Sequence, residues 1–196
     1  MPDTIDPATF DRLATAATRS RLAALTVGDL DRTSTCAGWR IRDVLSHLVG
    51  GNIRFAQALR GERPDWDSRD REPVSAPLTE FDRTSAEMAA AIAAIDDPKR
   101  PVLLPAGEPP ALFGVAVHAA DMLVHGWDVA ASTGQDLTLD PQLCLAATAV
   151  LDRYPTSFWG PGQFFASRID TDSADPQQRL LAYTGRDTER AGRVDH

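Results

Sequence analysis

The chain has 196 residues, of which 43% are hydrophobic and 24% charged, a mixture typical of a single globular domain. Its formal net charge of −8 and its lack of a Lys/Arg run argue against a nucleic-acid partner, because phosphate-binding proteins concentrate positive charge. No segment approaches the roughly 18 consecutive apolar residues of a membrane span, and the acidic N-terminus does not resemble a signal peptide. We therefore expect a cytoplasmic protein.

Five segments carry apolar residues at the helical spacing of three and four. The fourth is followed by Gly134, a residue suited to a helix C-cap. The fifth opens with Asp140 and Pro141, an N-cap residue followed by the proline favoured at the first helical position. The predicted helices cover residues 7–25, 40–59, 111–133 and 140–154, and a further one runs from residue 79 to the DDP sequence at residues 96–98.

The segments between these helices are predicted as loops. Residues 62–77 are charged and rich in proline, which indicates a lid or a flexible segment. Residues 102–104 form either a short strand or a crossing at the end of the helices. The whole pattern predicts a single all-α domain. Residues 7–154 are expected to form an antiparallel four-helix bundle with one extra short helix, and residues 155–196 a loop-rich extension.

The most informative stretch is VHAADMLVHGWDVAASTGQ, in the fourth predicted helix. At 100° per residue, His118, Asp121 and His125 share one stripe that faces the core, where burial without partners is costly. Asp121 and His125, four residues apart, can reach the same ion, and His47 in the second predicted helix offers a third ligand. Two histidines and a carboxylate suit zinc, iron(II), nickel or manganese.

A structural interpretation of the same residues stays open at this point. A histidine beside an apolar helix face is commonly a hydrogen-bonded core residue, and an aspartate four residues from a histidine can simply pair with it. The spacing alone does not separate a metal site from a buried polar network.

Three longer blocks carry a resemblance to a known family. TCAGWRIRDVLSHLVGGNIRFAQAL, HAADMLVHGWDVAASTGQ and QQRLLAYTGRD resemble the DinB-like superfamily. The branch they resemble most is the actinobacterial metal-binding group related to the N-terminal domain of mycothiol-dependent maleylpyruvate isomerase. The resemblance covers residues 7–187, and GWxxRDxLxHL and VHGWDxAxxTGQ are its most specific patterns.

The resemblance implies a four-helix bundle whose metal, zinc or nickel, is held by His47, Asp121 and His125. It gives His118 a place beside the ligands or facing the substrate, with a reserve role as a ligand. An aspartate at Asp121, where the isomerase type has glutamate, shortens that ligand by one methylene. The metal would then lie closer to the fourth helix or be bound more weakly.

The resemblance also implies an activity. Characterised members are mostly thiol-dependent transferases and isomerases that use mycothiol, and a metal with an open position lowers the pKa of a bound thiol. Residues 62–77 would shape the pocket for the electrophile. The isomerase has a second, C-terminal domain beyond the bundle. Only residues 156–196 follow the bundle in this chain, so we do not expect maleylpyruvate isomerisation itself.

Several other residues have two interpretations. Trp39 and Trp127 line the pocket or, as we favour, pack at helix ends. Asn52 faces the pocket or serves as a solvated or capping residue. Gly50 and Gly51 are unusual inside a helix, where glycine costs about 1 kcal/mol relative to alanine, and indicate the close approach of a helix or a ligand.

Asp128 is predicted either to hydrogen-bond a ligand histidine or, as we favour, to pair with Arg40 or Arg42. Cys36 and Cys144 are predicted to be free thiols. Cys36 precedes a helix whose dipole would lower its pKa, but a small buried residue is the favoured interpretation.

The resulting prediction is a metal-dependent, mycothiol-using transferase or isomerase that acts on a small electrophile. The first alternative is a non-catalytic bundle that binds a metal or a small ligand. The second is a structural bundle in which the histidines only form hydrogen bonds. A homodimer formed through bundle faces is compatible with this fold, although the sequence does not indicate it.

Overall fold

In this computed structural model, which describes residues 5–66, 76–160 and 165–188, the described chain forms six α-helices. Two short 3-10 turns accompany them, at Val27–Asp31 and Thr156–Phe158. The helices are α1 (Pro7–Ala23), α2 (Ile41–Leu59), α3 (Pro77–Ala93), α4 (Ala111–Thr133), α5 (Pro141–Leu151) and α6 (Pro176–Tyr183).

Capping residues explain where several of these helices begin and end. Asp6, Asp140 and Asp175 each accept a hydrogen bond from a backbone N–H of the first turn, at α1, α5 and α6 respectively, and each is followed by proline. Gly134 ends α4 with φ at 72°, in the left-handed region that favours glycine. The capping roles predicted for Asp140 and Gly134 are confirmed.

Contacts between side chains define the direction of the helices. Asp11 and Thr18 of α1 contact His118 and the Met122 carbonyl of α4 in the same order along both helices, so α1 and α4 run in parallel. His47 and Asn52 of α2 contact Asp121 and His118 of α4 in the opposite order. Helix α2 therefore runs antiparallel to α4.

Helix α3 runs in the direction of α2. Arg100, just beyond the end of α3, donates a hydrogen bond to the carbonyl of Leu59 at the end of α2, so the two C-terminal ends lie together. At the other end of α3, Asp82 pairs with Arg19, near the end of α1. The predicted all-α four-helix bundle is confirmed.

The last two helices extend the core beyond the bundle. Helix α5 packs on α4, and α6 packs on α5. Leu180 and Leu181 of α6 are fully buried, although the sequence analysis predicted only loop and polar tail in this region. The short apolar pair offers too little helical periodicity to predict α6, but its burial attaches residues 176–188 to the bundle.

Two loop predictions have different outcomes. Residues 102–104 form no strand; the segment makes only isolated bridges, between Pro101 and Pro110 and between Leu104 and Gly107. The lid predicted over residues 62–77 falls largely on residues 67–75, which lie outside the described residues. Among the described helices, none is both long and apolar enough to cross a membrane.

Candidate metal centre

The antiparallel packing of α2 and α4 brings three of the predicted ligands together. His47 Nε2 lies 3.2 Å from Asp121 Oδ2 and 3.4 Å from Asp121 Oδ1. His125, one turn further along α4, has its Nε2 3.5 Å from Asp121 Oδ1. One donor atom from each of the three side chains lies within 4.8 Å of the other two.

These separations fit a single small cation. Two atoms bound to one tetrahedral zinc at about 2.0–2.1 Å lie roughly 3.3–3.4 Å apart. The His47–Asp121 and His125–Asp121 distances of 3.2 and 3.5 Å bracket that value. The residues therefore suit a divalent ion without a large rearrangement of either helix.

The cluster is accessible to solvent, and its histidines lower the pKa of its carboxyl group. The side chains of His47 and Asp121 are 29% and 22% exposed, whereas that of His125 is 10% exposed. Burial opposes ionisation of Asp121, but the charges of His47 and His125 outweigh it and hold the pKa of this carboxyl well below its ordinary value. Asp121 is thus a carboxylate at neutral pH, as a metal ligand must be.

A fully buried carboxylate, Asp128, holds the other side of His125. Its Oδ2 lies 2.9 Å from His125 Nδ1 and 2.8 Å from Arg186 Nη2, while its Oδ1 accepts a hydrogen bond of 2.6 Å from the Thr35 hydroxyl. Burial opposes its ionisation, yet Arg186 and His125 keep the pKa of Asp128 well below its ordinary value. The predicted contact between Asp128 and a histidine of the cluster is present.

The favoured ion pair of Asp128 with Arg40 or Arg42 is wrong. Both arginines instead contact Asp31, at 3.0 and 2.5 Å, near the start of α2. Their side chains are 61% and 43% exposed, so they lie on the surface of the molecule while Asp128 is inside it. Arg186, which received no role in the sequence analysis, takes their place.

The segment before α2 covers the cluster. The ring of Trp39 stacks on that of His125, with centroids 5.8 Å apart, and meets the edge of His47 at 5.2 Å. Cys36, His125 and Asp128 also form a group whose ligand atoms lie within 4.8 Å of one another. Burial, followed by the charge of Asp128, raises the pKa of Cys36 to about 11, which argues against a reactive thiol, although the residue is half-buried rather than buried.

His118 lies in a different network. It is fully buried, with Nδ1 2.5 Å from Asp11 Oδ1 and Nε2 2.9 Å from Asn52 Oδ1. The amide of Asn52 donates to the hydroxyls of Thr84 and Ser85, both at 3.0 Å, which orients its oxygen toward the histidine. Both ring nitrogens are engaged in these contacts, so neither is directed at the His47–Asp121–His125 cluster.

The other residues predicted to line the pocket differ in whether they contact the clustered histidines. Trp127 and Asn52 are fully buried in the bundle, so Asn52 is neither solvated nor a cap, and only Trp39 contacts the clustered histidines. A Cβ atom on Gly51 would lie 3.9 Å from Asp121 Oδ2, so this glycine faces the predicted ligand.

Two residues near the cluster had no role in the sequence analysis. Burial and then the charge of Asp121 raise the pKa of the Tyr154 hydroxyl, which indicates that Tyr154 lies within the electrostatic reach of the cluster. Arg186 follows α6 directly. The Asp175–Pro176 pair before Leu180 and Leu181 was a helix-start signal that could have identified α6, but nothing in the sequence indicates which acid Arg186 contacts.

Comparison with known proteins identifies a matching family model and two similar proteins. The family model described as "Mycothiol maleylpyruvate isomerase N-terminal domain" matches residues 12–130. Two proteins from different strains of Mycobacterium tuberculosis, the uncharacterized proteins Rv0738 and MT0763, are each 32% identical over 189 residues. The match covers 93% of this chain and 98% of each relative.

Two crystal structures share the fold. Mycothiol-dependent maleylpyruvate isomerase superposes with a TM-score of 0.62 at 17% identity, and a point mutant of it does so with the same score at 15% identity. The matched region covers 71% of this chain and 65% of the isomerase chain, so at this identity the comparison establishes the fold alone. From the extent of the family match and the similarity of the mycobacterial relatives, the chain belongs to the family of mycothiol maleylpyruvate isomerase N-terminal domains.

Proposed function

We propose that this chain binds one divalent ion, zinc or nickel, through His47, Asp121 and His125, and uses it to activate a low-molecular-weight thiol. The observation that carries the proposal is the convergence of two imidazole nitrogens and one carboxylate within 4.8 Å of one another. This donor set suits zinc and nickel, and three protein ligands leave a coordination position open for a substrate.

Mycothiol is the thiol that we propose. Both the matching family model and the two isomerase structures with this fold carry mycothiol in their names. A divalent ion with an open position supplies Lewis acidity, which lowers the pKa of a thiol and makes a thiolate available at neutral pH. Transfer of that thiol to an electrophile, or a thiol-assisted isomerisation, is the proposed class of reaction.

The residues around the cluster have defined tasks in this proposal. Asp128 accepts the Nδ1–H of His125, so that the lone pair of Nε2 points toward His47 and Asp121. Trp39 covers one face of His125 and keeps water from it. The exposed parts of His47 and Asp121 leave a path by which a thiol can enter.

The test is turnover by the metal-loaded protein. Zinc- or nickel-loaded wild type is mixed with mycothiol and a panel of electrophiles, and the loss of free thiol and of each electrophile is followed in time, because an isomerisation regenerates the thiol. We expect consumption that stops on chelation and is absent in His47→Ala. Asp82→Asn is the matched control for the predicted ligand Asp121, because Asp82 pairs with Arg19 on another face of the bundle.

Two outcomes would contradict the proposal. Equal rates with and without metal would remove the metal from the reaction. Binding of mycothiol without turnover across the panel would favour the non-catalytic binding protein instead.

A further inference from the structure

Arg186 lies deeper in the molecule than an ordinary ion-pairing arginine. Its side chain is 8% exposed and that of Asp128 is fully buried. Nη2 donates to Asp128 Oδ2 at 2.8 Å, and Nε donates to Oδ1 at 3.2 Å, so the guanidinium contacts both oxygens of one carboxylate. Such a two-point contact fixes the plane of the carboxylate as well as its position.

The turn that ends α6 places Arg186 beside Asp128. The N–H of Gly185 donates to the Ala182 carbonyl and that of Arg186 to the Leu181 carbonyl, which together form a Schellman motif. Gly185 has φ at 76°, and a Cβ there would lie 2.8 Å from the Ser167 carbonyl oxygen, so only glycine fits. The turn therefore directs the Arg186 side chain back toward α4.

The Asp128 carboxylate in turn orients His125. Both oxygens of Asp128 accept N–H groups of the Arg186 guanidinium, as a carboxylate does, and Oδ2 also lies 2.9 Å from His125 Nδ1. That nitrogen must carry the proton. The opposite nitrogen, Nε2, then faces Asp121 Oδ1 at 3.5 Å with its lone pair.

We infer that Arg186 is a positioning residue of the metal centre: through Asp128 it holds His125 in the orientation and tautomer that present Nε2 to the metal. The metal part of this inference rests on the proposed function, whereas the orientation part rests on the contacts alone. Residues 176–186 lie beyond the region 12–130 matched by the family model, so the C-terminal segment completes a site that the matched region does not contain in full.

The test compares Arg186→Gln and Arg186→Lys with Arg168→Gln. Arg168 belongs to the same C-terminal segment but stacks on the rings of Trp159 and Tyr183, at 4.2 and 3.9 Å. Two readouts are used: the tautomer of His125, from 1H–15N NMR correlations of the zinc-free protein at alkaline pH, and the zinc dissociation constant. Circular dichroism checks that each variant is folded.

We expect wild type and Arg168→Gln to carry the His125 proton on Nδ1 and to bind zinc equally within about twofold. Arg186→Gln should give a mixture of tautomers and zinc binding weaker by about 10–100-fold, the usual effect of removing a group that supports a ligand. Arg186→Lys keeps the charge but loses the two-point contact, so it should fall between the two and remains informative if Arg186→Gln does not fold.

The outcomes separate the two proposals. If wild type binds no zinc, the proposed function fails, while the tautomer of His125 still decides the role of Arg186. If wild type binds zinc and a folded Arg186→Gln protein keeps both the Nδ1–H tautomer and the zinc affinity, the inference is overturned and the proposed function stands. A wild type with the His125 proton on Nε2 would overturn the inference as well.

Discussion

Asp128 shows how a fully buried carboxylate is stabilised in this fold. Thr35 and Arg186 donate hydrogen bonds to its two oxygens, and His125 Nδ1 lies 2.9 Å from one of them. An isolated charge at this depth would be costly, but a paired and hydrogen-bonded one is tolerated. Removing one partner is harmful because the remaining charge stays buried without compensation.

The first prediction concerns Asp128→Asn. Above pH 5 the variant should unfold with a free energy lower by about 3–5 kcal/mol, because Arg186 loses its counter-charge. The pKa of Asp128 is depressed in the folded state, so its stabilisation is present above the unfolded value of about 3.8 and disappears as the pH falls below it. Urea unfolding of both proteins between pH 3 and pH 7 measures the difference, which should shrink at the acidic end. A difference that stays constant over this range would contradict the argument.

Predictability from sequence differs sharply between residues of the same cluster. Asp121 and His125 are four residues apart on one helix, so periodicity alone places them on the same stripe. Asp128 has a partner 58 residues downstream, on a segment whose helix was not predicted. The sequence made Arg40 and Arg42 plausible partners, because nothing in it distinguishes a surface arginine from a buried one.

At the scale of the elements, helices α1 and α4 pack closely against each other at Gly126. Thr18 donates to the Met122 carbonyl at 2.7 Å, and a Cβ on Gly126 would lie 3.3 Å from the Thr18 Cα and clash with the Thr18 hydroxyl. Gly126 therefore allows two backbones to pack together. Gly51 on α2 has a different environment, since its Cβ would meet Asp121 Oδ2 at 3.9 Å, an ordinary contact distance.

The second prediction uses these two glycines as a matched pair. Gly126→Ala should destabilise the protein by about 1–3 kcal/mol, the usual cost of overpacking, because Thr18 lies on a helix backbone that cannot move freely. Gly51→Ala should be neutral or stabilising by up to about 1 kcal/mol, because alanine favours the helix. Thermal and urea unfolding measure both changes. Equal effects at the two positions would contradict the packing at Gly126.

The helices that were predicted are those with long apolar stripes or explicit end signals. The predicted bounds of α4 agree with the structure at both ends, because its apolar pattern is long and Gly134 stops it. Helix α5 ends at Leu151, three residues before the predicted end, where the chain turns. Helix α6 has eight residues and little periodicity, so only its start signal, Asp175–Pro176, marks it in the sequence, and tertiary burial stabilises it.

At the scale of the whole molecule, a buried polar network joins all four helices of the bundle. His118 of α4 contacts Asp11 of α1 and Asn52 of α2, and Asn52 reaches Thr84 and Ser85 of α3. Each polar group has a partner, so the network fixes the relative register of the helices at a cost that the hydrogen bonds offset. The sequence placed His118 on the inner stripe but offered no way to identify Asp11, which lies 107 residues away.

The third prediction separates this network from the candidate metal site. His118→Ala should lower the free energy of unfolding by about 3–5 kcal/mol, because Asp11 would remain buried without its partner. The folded variant should still bind zinc with the stoichiometry of wild type. His47→Ala should show the opposite pattern, with zinc binding lost and a small change in stability, because His47 is partly exposed. Loss of zinc in folded His118→Ala would restore the reserve-ligand role of His118.

The most direct test of the central claim is the zinc content of the purified protein after saturation with zinc and removal of the excess, measured by elemental analysis. We predict one ion per chain in wild type and in Asp82→Asn, and substantially less in His47→Ala, Asp121→Ala and His125→Ala, each confirmed to be folded. Wild type without zinc, or folded ligand variants that retain one ion per chain, would contradict it.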